Sequence, residues 1–189
     1  DECGNSTETE QIVTLYDVTA PELTVPADFF VNADAADCSA DITPAAAGEA
    51  SATDNCGAED CWGSQMIFIT YVDSDWTYTC TGDDDNAEGT RELTRTWTAT
   101  DRCDNAMSLD QLITVTDVTA PVGSAEDASV ACAEYDSSVE YGSHDESDNC
   151  DSNVAVSWVN VEEFDDEGAG CYKVRREYTF TDDCGNAST

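Results

Sequence analysis

Two sets of oxygen-bearing residues, spaced alike, are the positions in this 189-residue chain whose chemistry could go beyond structure. Asp17, Asp54, Asn55, Asp101 and Asp104 form the first set, and Asp117, Asp148, Asn149, Asp182 and Asp183 the second. Hard divalent cations want several oxygens at once, so each set reads as calcium ligands at a domain junction. Asp and Asn also close turns by hydrogen-bonding nearby backbone, which is the other reading of the same residues. Adjacent acids such as Asp83, Asp84 and Asp85, or Asp165 and Asp166, have the groups for general acid and base catalysis. With 42 acidic residues in the chain, such neighbours arise without selection and read as a solvated face. His144 beside Ser143 has no nucleophile context, so the chain does not read as an enzyme.

Ten cysteines recur at matched positions, with no CxxC pair and a single histidine. That pattern points to disulfides in an oxidising compartment, not to zinc. Asn5-Ser6-Thr7 and Asn186-Ala187-Ser188 fit the acceptor pattern for N-linked sugar, which makes Asn5 and Asn186 candidate glycosylation sites.

Charge narrows the partners. Forty-two acidic against six basic residues give a net charge of −36, which argues against nucleic acid and against an anionic membrane surface. Such a charge repels itself in a compact state and calls for salt, bound cations or covalent staples. A 40% hydrophobic content with four Trp and seven Tyr nevertheless indicates packed cores. No apolar run approaches the roughly 20 residues of a membrane span, so no membrane insertion is expected.

The elements that must position these groups come in repeats. Asp1, Cys3, Asn5, Gln11 and the run Asp17-Val18-Thr19-Ala20-Pro21 return 100 positions later as Asp101, Cys103, Asn105, Gln111 and Asp117-Val118-Thr119-Ala120-Pro121. Cys38, Gly48 and Asp54-Asn55-Cys56 return 94 positions later as Cys132, Gly142 and Asp148-Asn149-Cys150. The repeat predicts two domains, 18–117 and 118–189, preceded by a segment 1–17. Alternating apolar residues predict strands at Gln11–Tyr16, Met66–Asp73, Leu93–Thr100 and Gln111–Thr116, with a proline-interrupted edge strand over 23–31. Val154, Val156 and Trp158 answer Ile67, Ile69 and Tyr71, and Arg176, Tyr178 and Thr181 answer Arg95, Trp97 and Thr100. Arg95 and Arg176 fall on the inward register, where a buried acid partner is expected. No stretch has a helical period, and short strands between Gly, Asp and Asn turns indicate all-β sandwiches.

The repeated phrase begins a third time at Asp182-Asp183-Cys184-Gly185-Asn186, without the alternating run that follows its other two copies. The expectation is a second domain that lacks its last strand. Gln11, Ile12, Val13, Thr14, Leu15 and Tyr16 are then a spare strand for a neighbouring subunit.

The string Arg95-Thr96-Trp97-Thr98-Ala99-Thr100-Asp101-Arg102-Cys103, the Asp-Asn-Cys triplets and the Gln-x-Ile-Thr-Val-Thr-Asp-Val-Thr-Ala-Pro junction resemble immunoglobulin-like repeats of hyalin-repeat type. Those repeats occur in tandem in secreted and cell-surface proteins, notably bacterial ones. The resemblance implies two tandem immunoglobulin-like β-sandwiches, covering almost the whole chain. Departures are Asp104, where the pattern has Gly, and Cys61 inside a seven-residue insertion. The sandwich topology implies four disulfides, Cys56 with Cys103, Cys38 with Cys80, Cys150 with Cys184 and Cys132 with Cys171. It leaves Cys3 and Cys61 over, either to pair with each other or, since the topology puts them at different ends of the assembly, to stay apart.

These readings converge on a structural subunit of an extracellular filament, built head to tail from copies of itself by donor-strand exchange. The rival is a stretch of a longer tandem-repeat polypeptide whose next repeat supplies the strand. A second class is a calcium-stiffened adhesin or carbohydrate binder at a cell surface, for which Trp62 and Trp76 are the candidate aromatic platform and surface glycans the partners.

Overall fold

The computed structural model describes residues 2–56, 66–80, 89–165 and 172–189, with no side-chain description for 162–165 and 172. Cys61, Trp62, Asp83, Asp84, Asp85, Asp166 and Cys171 lie outside the described residues, as does the side chain of Asp165. The fold is almost wholly β. In chain order the elements are β1 (Glu22–Thr24), β2 (Phe29–Asn32), α1 (Pro44–Ala47), β3 (Ser51–Thr53), β4 (Phe68–Asp73), β5 (Thr77–Tyr78) and β6 (Arg91–Thr100). They continue with β7 (Ala106–Thr116), β8 (Val122–Ala125), β9 (His144–Ser147), β10 (Ala155–Asp165), β11 (Tyr172–Thr181) and β12 (Ala187–Ser188). Among the described residues no helix is long and apolar enough to cross a membrane, a statement that leaves membrane-spanning strands aside.

The alternation in β6 does what a period of two requires: Leu93, Arg95, Trp97 and Ala99 are buried, and the threonines between them are partly exposed. β7 begins five residues before the expected Gln111, and its buried face starts only at Gln111, with Ile113 and Val115. A five-stranded sheet runs β2, β7, β6, β4, with β5 also on β6. β2, the proline-flanked segment, is its edge and pairs in parallel with β7 from Phe29↔Ile113 to Asn32↔Thr116. β1 pairs with β3, β8 with β9, and β10, β11 and β12 form a three-stranded sheet.

Packing groups the chain into two compact units, distinct from the repeat boundaries at 17/18 and 117/118. One comprises Asp1–Val25, Ala50–Val72 and Thr96–Leu109, and the other Pro26–Glu49, Asp73–Arg95 and Asp110–Thr189. The first has a core of Leu23, Trp97 and Ala99, against which Ile67 and Ile69 pack. The second buries Ala47, Leu93 and Ile113 in one cluster and Ala33, Cys38, Val115 and Cys150 in another. Each aliphatic side chain so buried contributes roughly 1.5–3 kcal/mol.

The sequence repeat is carried in strand register. β1 pairs Glu22 with Thr53, and β8 pairs Val122 with Ser147, the counterparts of Glu22 and Thr53 at the same 100 and 94 offsets. A second shared mark is glycine. Gly48 (φ 97°) and Gly142 (φ 90°) are both left-handed, and a Cβ would fall 2.8 Å from Pro26 Cβ in one and 2.7 Å from the Glu126 carbonyl oxygen in the other.

Three expectations are corrected. Gln11–Tyr16 is not a strand in this structure, because an extended segment needs a ladder partner for its N–H and C=O groups and among the described residues it has none. A one-turn helix, α1, forms in a chain where no helical period was expected; Pro44 opens it with φ already set for a helix. The disulfides are also different: Cys38 pairs with Cys150 and Cys80 with Cys184, displacing the expected Cys38–Cys80 and Cys150–Cys184 pairs. Cys38 sits in a left-handed turn (φ 57°) and packs with Cys150 in the same buried cluster, at a Cα separation of 4.9 Å. The link expected from Cys103 to Cys56 is not formed, and the one expected from Cys132 has its other half, Cys171, outside the described residues. Cys103 and Cys132 are exposed thiols, and Cys103 sits in the hairpin turn that Asp101 closes, away from any core.

Candidate metal centres and an open strand edge

Asp17, Asp54 and Asp101 each bring one carboxylate oxygen to within 4.8 Å of the other two, and so do Asp117, Asp148 and Asp182. Six of the ten expected oxygen ligands therefore converge, three in each compact unit. Asp104 and Asp183 stand outside the triads, while Asn55 and Asn149 directly follow the triad members Asp54 and Asp148 in the chain.

Turn chemistry builds the triads. Asp17 accepts from Thr19 N–H at 3.0 Å, Asp54 from Cys56 N–H at 2.8 Å and Asp101 from Cys103 N–H at 2.8 Å. The second centre repeats the pattern, with Thr119 N–H on Asp117 at 3.0 Å and Cys150 N–H on Asp148 at 2.9 Å. Its third acid, Asp182, accepts from Asn186 N–H at 2.7 Å. These bonds fall on Oδ1 in every case and fix the direction of the carboxyl groups. At the second centre Asp148 Oδ2 and Asn149 Oδ1 are buried atoms with no hydrogen-bond partner.

Two residues that position the acids escaped sequence reasoning. Asn105 Nδ2 donates to Asp101 Oδ2 at 2.8 Å and to the Asp17 carbonyl oxygen at 3.3 Å. Asn186 Nδ2 makes the matching bonds to Asp182 Oδ2 and the Asp117 carbonyl oxygen. Their signal was the repeated Cys-x-Asn, which at Asn186 also fits a sugar acceptor. Asp104 is left-handed (φ 65°), as Gly185 is at the matching place, which explains how Asp stands where the hyalin pattern has Gly.

The two centres differ electrostatically. Burial pushes the Asp117 carboxyl above its ordinary range, and the negative fields of Asp148, Asp182 and Asp151 add to the rise, against one lowering hydrogen bond from Thr119. Burial also pushes Asp101 up, but hydrogen bonds from the Asn105 side chain, Asn105 N–H and Cys103 N–H outweigh it and hold the group low. Three acids at this spacing, with buried oxygens left over, offer oxygen donors of the kind a hard cation takes, fewer than the roughly six to eight that calcium gathers.

The other candidate is an edge. β11 has β10 along its whole length on one side, and on the other only β12, which covers Phe180 and Thr181. Residues 172–179 carry no ladder on that side among the described residues. In the first repeat the matching side of β6 is covered by β7. The segment before Asp17 is exposed throughout, with Ile12 at 91%, Val13 at 70% and Leu15 at 76%.

Arg95 meets its expected acid. Its Nε and Nη2 donate to Asp73 Oδ1 and Oδ2 at 2.7 and 2.8 Å, and Nη1 to the Ile42 carbonyl oxygen at 2.9 Å. Trp76 is half-buried, packs against two core clusters and lies under the Arg91 guanidinium at 5.2 Å, so it is not a free platform for sugar. No family model matches the chain, and no curated protein matches it either, so the likeness to hyalin repeats rests on its motifs alone.

Proposed function

We propose that this chain is a structural subunit of an extracellular filament, assembled head to tail by strand exchange between two immunoglobulin-like sandwich domains, 18–117 and 118–189. One observation carries the reading. Val13 and Leu15 are 70% and 76% exposed, whereas their repeat counterparts Ile113 and Val115 are fully buried. A segment with the sequence of a core strand and no core of its own, in a chain that also has a bare strand edge, is a donor and an acceptor. Laying Gln11–Tyr16 on β11 of another copy is β-augmentation, and it covers an edge that would otherwise pair at random. The contact uses different surfaces on the two copies, so it propagates instead of closing. Two disulfides suit the oxidising exterior of a cell.

In the same reading the acidic triads hold calcium, which would lower the self-repulsion of a −36 chain. The matched triads also favour a second reading, a calcium-stiffened repeat of one long adhesin in which the following repeat supplies the strand covalently. Mass spectrometry of isolated fibres under reducing, denaturing conditions separates the two. A discrete chain near 20.3 kDa is expected for strand exchange, and a much larger product would sink it. Of the two candidate sugar acceptors, Asn5 and Asn186, the Asn186 amide is committed to Asp182.

A further inference from the structure

Arg176 is the counterpart of Arg95, and its surroundings are incomplete. Its Nε donates to Asn160 Oδ1 at 3.0 Å, but Asn160 stands where the first repeat has Asp73. Nη1 and Nη2 are buried atoms with no hydrogen-bond partner. The guanidinium lies 4.0 Å from the centre of the Trp158 ring and 5.4 Å from that of Tyr141. Aromatic faces satisfy part of the charge but accept none of the four N–H bonds on those two nitrogens. In a chain with 42 acidic residues, none of the described ones reaches them.

The first repeat shows which strand lies beside its arginine. Thr98 and Ser108 hydroxyls meet at 2.8 Å, and Thr114 Oγ1 donates to Glu92 at 3.2 Å. Both pairs keep one antiparallel register between β6 and β7, which sets Gln111 across from Arg95. Gln111 is fully buried, and its Nε2 donates to the carbonyl oxygens of Ala27 and Ala47 at 2.9 Å each. In the second repeat, Ala187 and Ser188 continue β11 in that same register, opposite Thr181 and Phe180. Extended along β11, it brings the counterpart of Gln111 to Arg176. Asp127 and Tyr141 hold the places of Ala27 and Ala47, as the pairing of β8 with β9 fixes.

We infer that the terminal nitrogens of Arg176 are donors kept for the side-chain oxygen of Gln11 from a second copy of this chain, whose amide group donates to the main-chain oxygens of Asp127 and Tyr141. This rests on the strand-exchange reading and adds to it a polar anchor that sets register. Register needs one, because a slip of a single residue would turn Val13 and Leu15 outward. A buried glutamine satisfied at both ends, with an arginine fork on one side, permits one alignment only.

The test uses full-length chains carrying Val13→Asp and Leu15→Asp, which cannot donate but keep the acceptor edge. Fluorescein-labelled peptides of residues 7–17, one natural and one with Gln11→Met, are titrated against them by anisotropy. The natural peptide should bind, and the Gln11→Met peptide roughly tenfold or more weakly, since a hydrogen bond to a charged group is lost. On a receiver that also carries Arg176→Met, the ratio between the two peptides should shrink, the mark of a direct coupling. If Arg176→Met does not fold by circular dichroism, Arg176→Lys, which keeps the charge and loses the fork, takes its place. Equal binding of the two peptides, or an unchanged ratio on the Arg176 variant, overturns the anchor and leaves strand exchange standing. Failure of the natural peptide to bind any receiver overturns strand exchange itself.

Discussion

In the first repeat Leu23 on β1 shares a core cluster with Ala99 on β6; in the second their counterparts are Gly123 on β8 and Phe180 on β11, so large and small have changed places. The exchange is tight: a Cβ on Gly123 would fall 2.4 Å from the Phe180 ring, and Phe180 is 3% exposed. Total volume across the pair is what the interior conserves, while the identity of either residue is free. The same comparison shows where the second repeat departs from the first. Arg95 has Asp73, but Arg176 has Asn160; Gln111, Ile113 and Val115 are buried, but Gln11, Val13 and Leu15 are exposed. Among the described residues, one repeat pairs its arginine with an acid and covers the β6 strand with β7, while in the other Arg176 meets no acid and residues 172–179 carry no ladder on one side.

The largest effect should come from applying one substitution to both counterpart strands. Val13→Asp with Leu15→Asp should abolish filaments, seen by electron microscopy and sedimentation, while leaving the thermal unfolding of the subunit unchanged. Ile113→Asp should instead prevent folding, because an unpaired carboxylate in that fully buried site has no partner. Normal fibres from the first variant would end the comparison in this form.

Next in size is the exchanged pair. Phe180→Ala should cost about 3–5 kcal/mol in a denaturant titration through the cavity it leaves. Gly123→Leu alone should also destabilise, by collision with the ring. The double variant recreates the first repeat's arrangement and should recover most of the loss. Additive costs would show that the two positions do not share one space.

These particulars also mark what the sequence could and could not reveal. Strand positions were readable from alternation because a half-buried sheet enforces a period of two, as in Leu93, Trp97 and Ala99. The disulfide pairs were not, since Cys38 and Cys150 are 112 residues apart and meet only through packing. α1 was missed because four residues cannot display a helical period. The six triad acids were readable through their exact repetition, as the turns that aim them are local. Asn105 and Asn186 were overlooked because a residue that orients another has no signature beyond its neighbours.

Third comes the arginine pair. Asp73→Asn should cost about 3 kcal/mol, since it leaves the buried Arg95 without its charge partner, with part of the loss relieved by the 28% exposure of Asp73. Asn160→Asp, the reverse change in the second repeat, should stabilise by about 1–2 kcal/mol by giving Arg176 a carboxylate. Chemical denaturation of both variants checks the opposite signs. Stabilisation by neither, or by Asp73→Asn, would mean that Arg176 is not under-satisfied.

The smallest effect separates the two acidic centres by pH. Asp117 is raised above the ordinary carboxylate value of 3.8, so the fold favours its protonated form, and that contribution is lost as pH rises through the raised value. Asp101 is lowered from 3.8, so its hydrogen-bonded carboxylate contributes stability above 3.8 that is lost as pH falls through the lowered value. In chelator at neutral pH, Asp117→Asn should therefore raise the melting temperature, because Thr119 N–H keeps an oxygen acceptor and a buried charge is gone. Asp101→Asn should lower it, and that loss should fade in strong acid. Calcium at a hundred times its dissociation constant stabilises by about 2.7 kcal/mol, and Asp117→Asn should remove the share due to the second centre. That share should also disappear from the natural chain as protons compete for Asp117 in the window set by its raised pKa. Melting curves with calcium and with chelator across the acid range give all of these signs. Equal responses from the Asp117 and Asp101 variants would show that burial and hydrogen bonding do not distinguish the two centres.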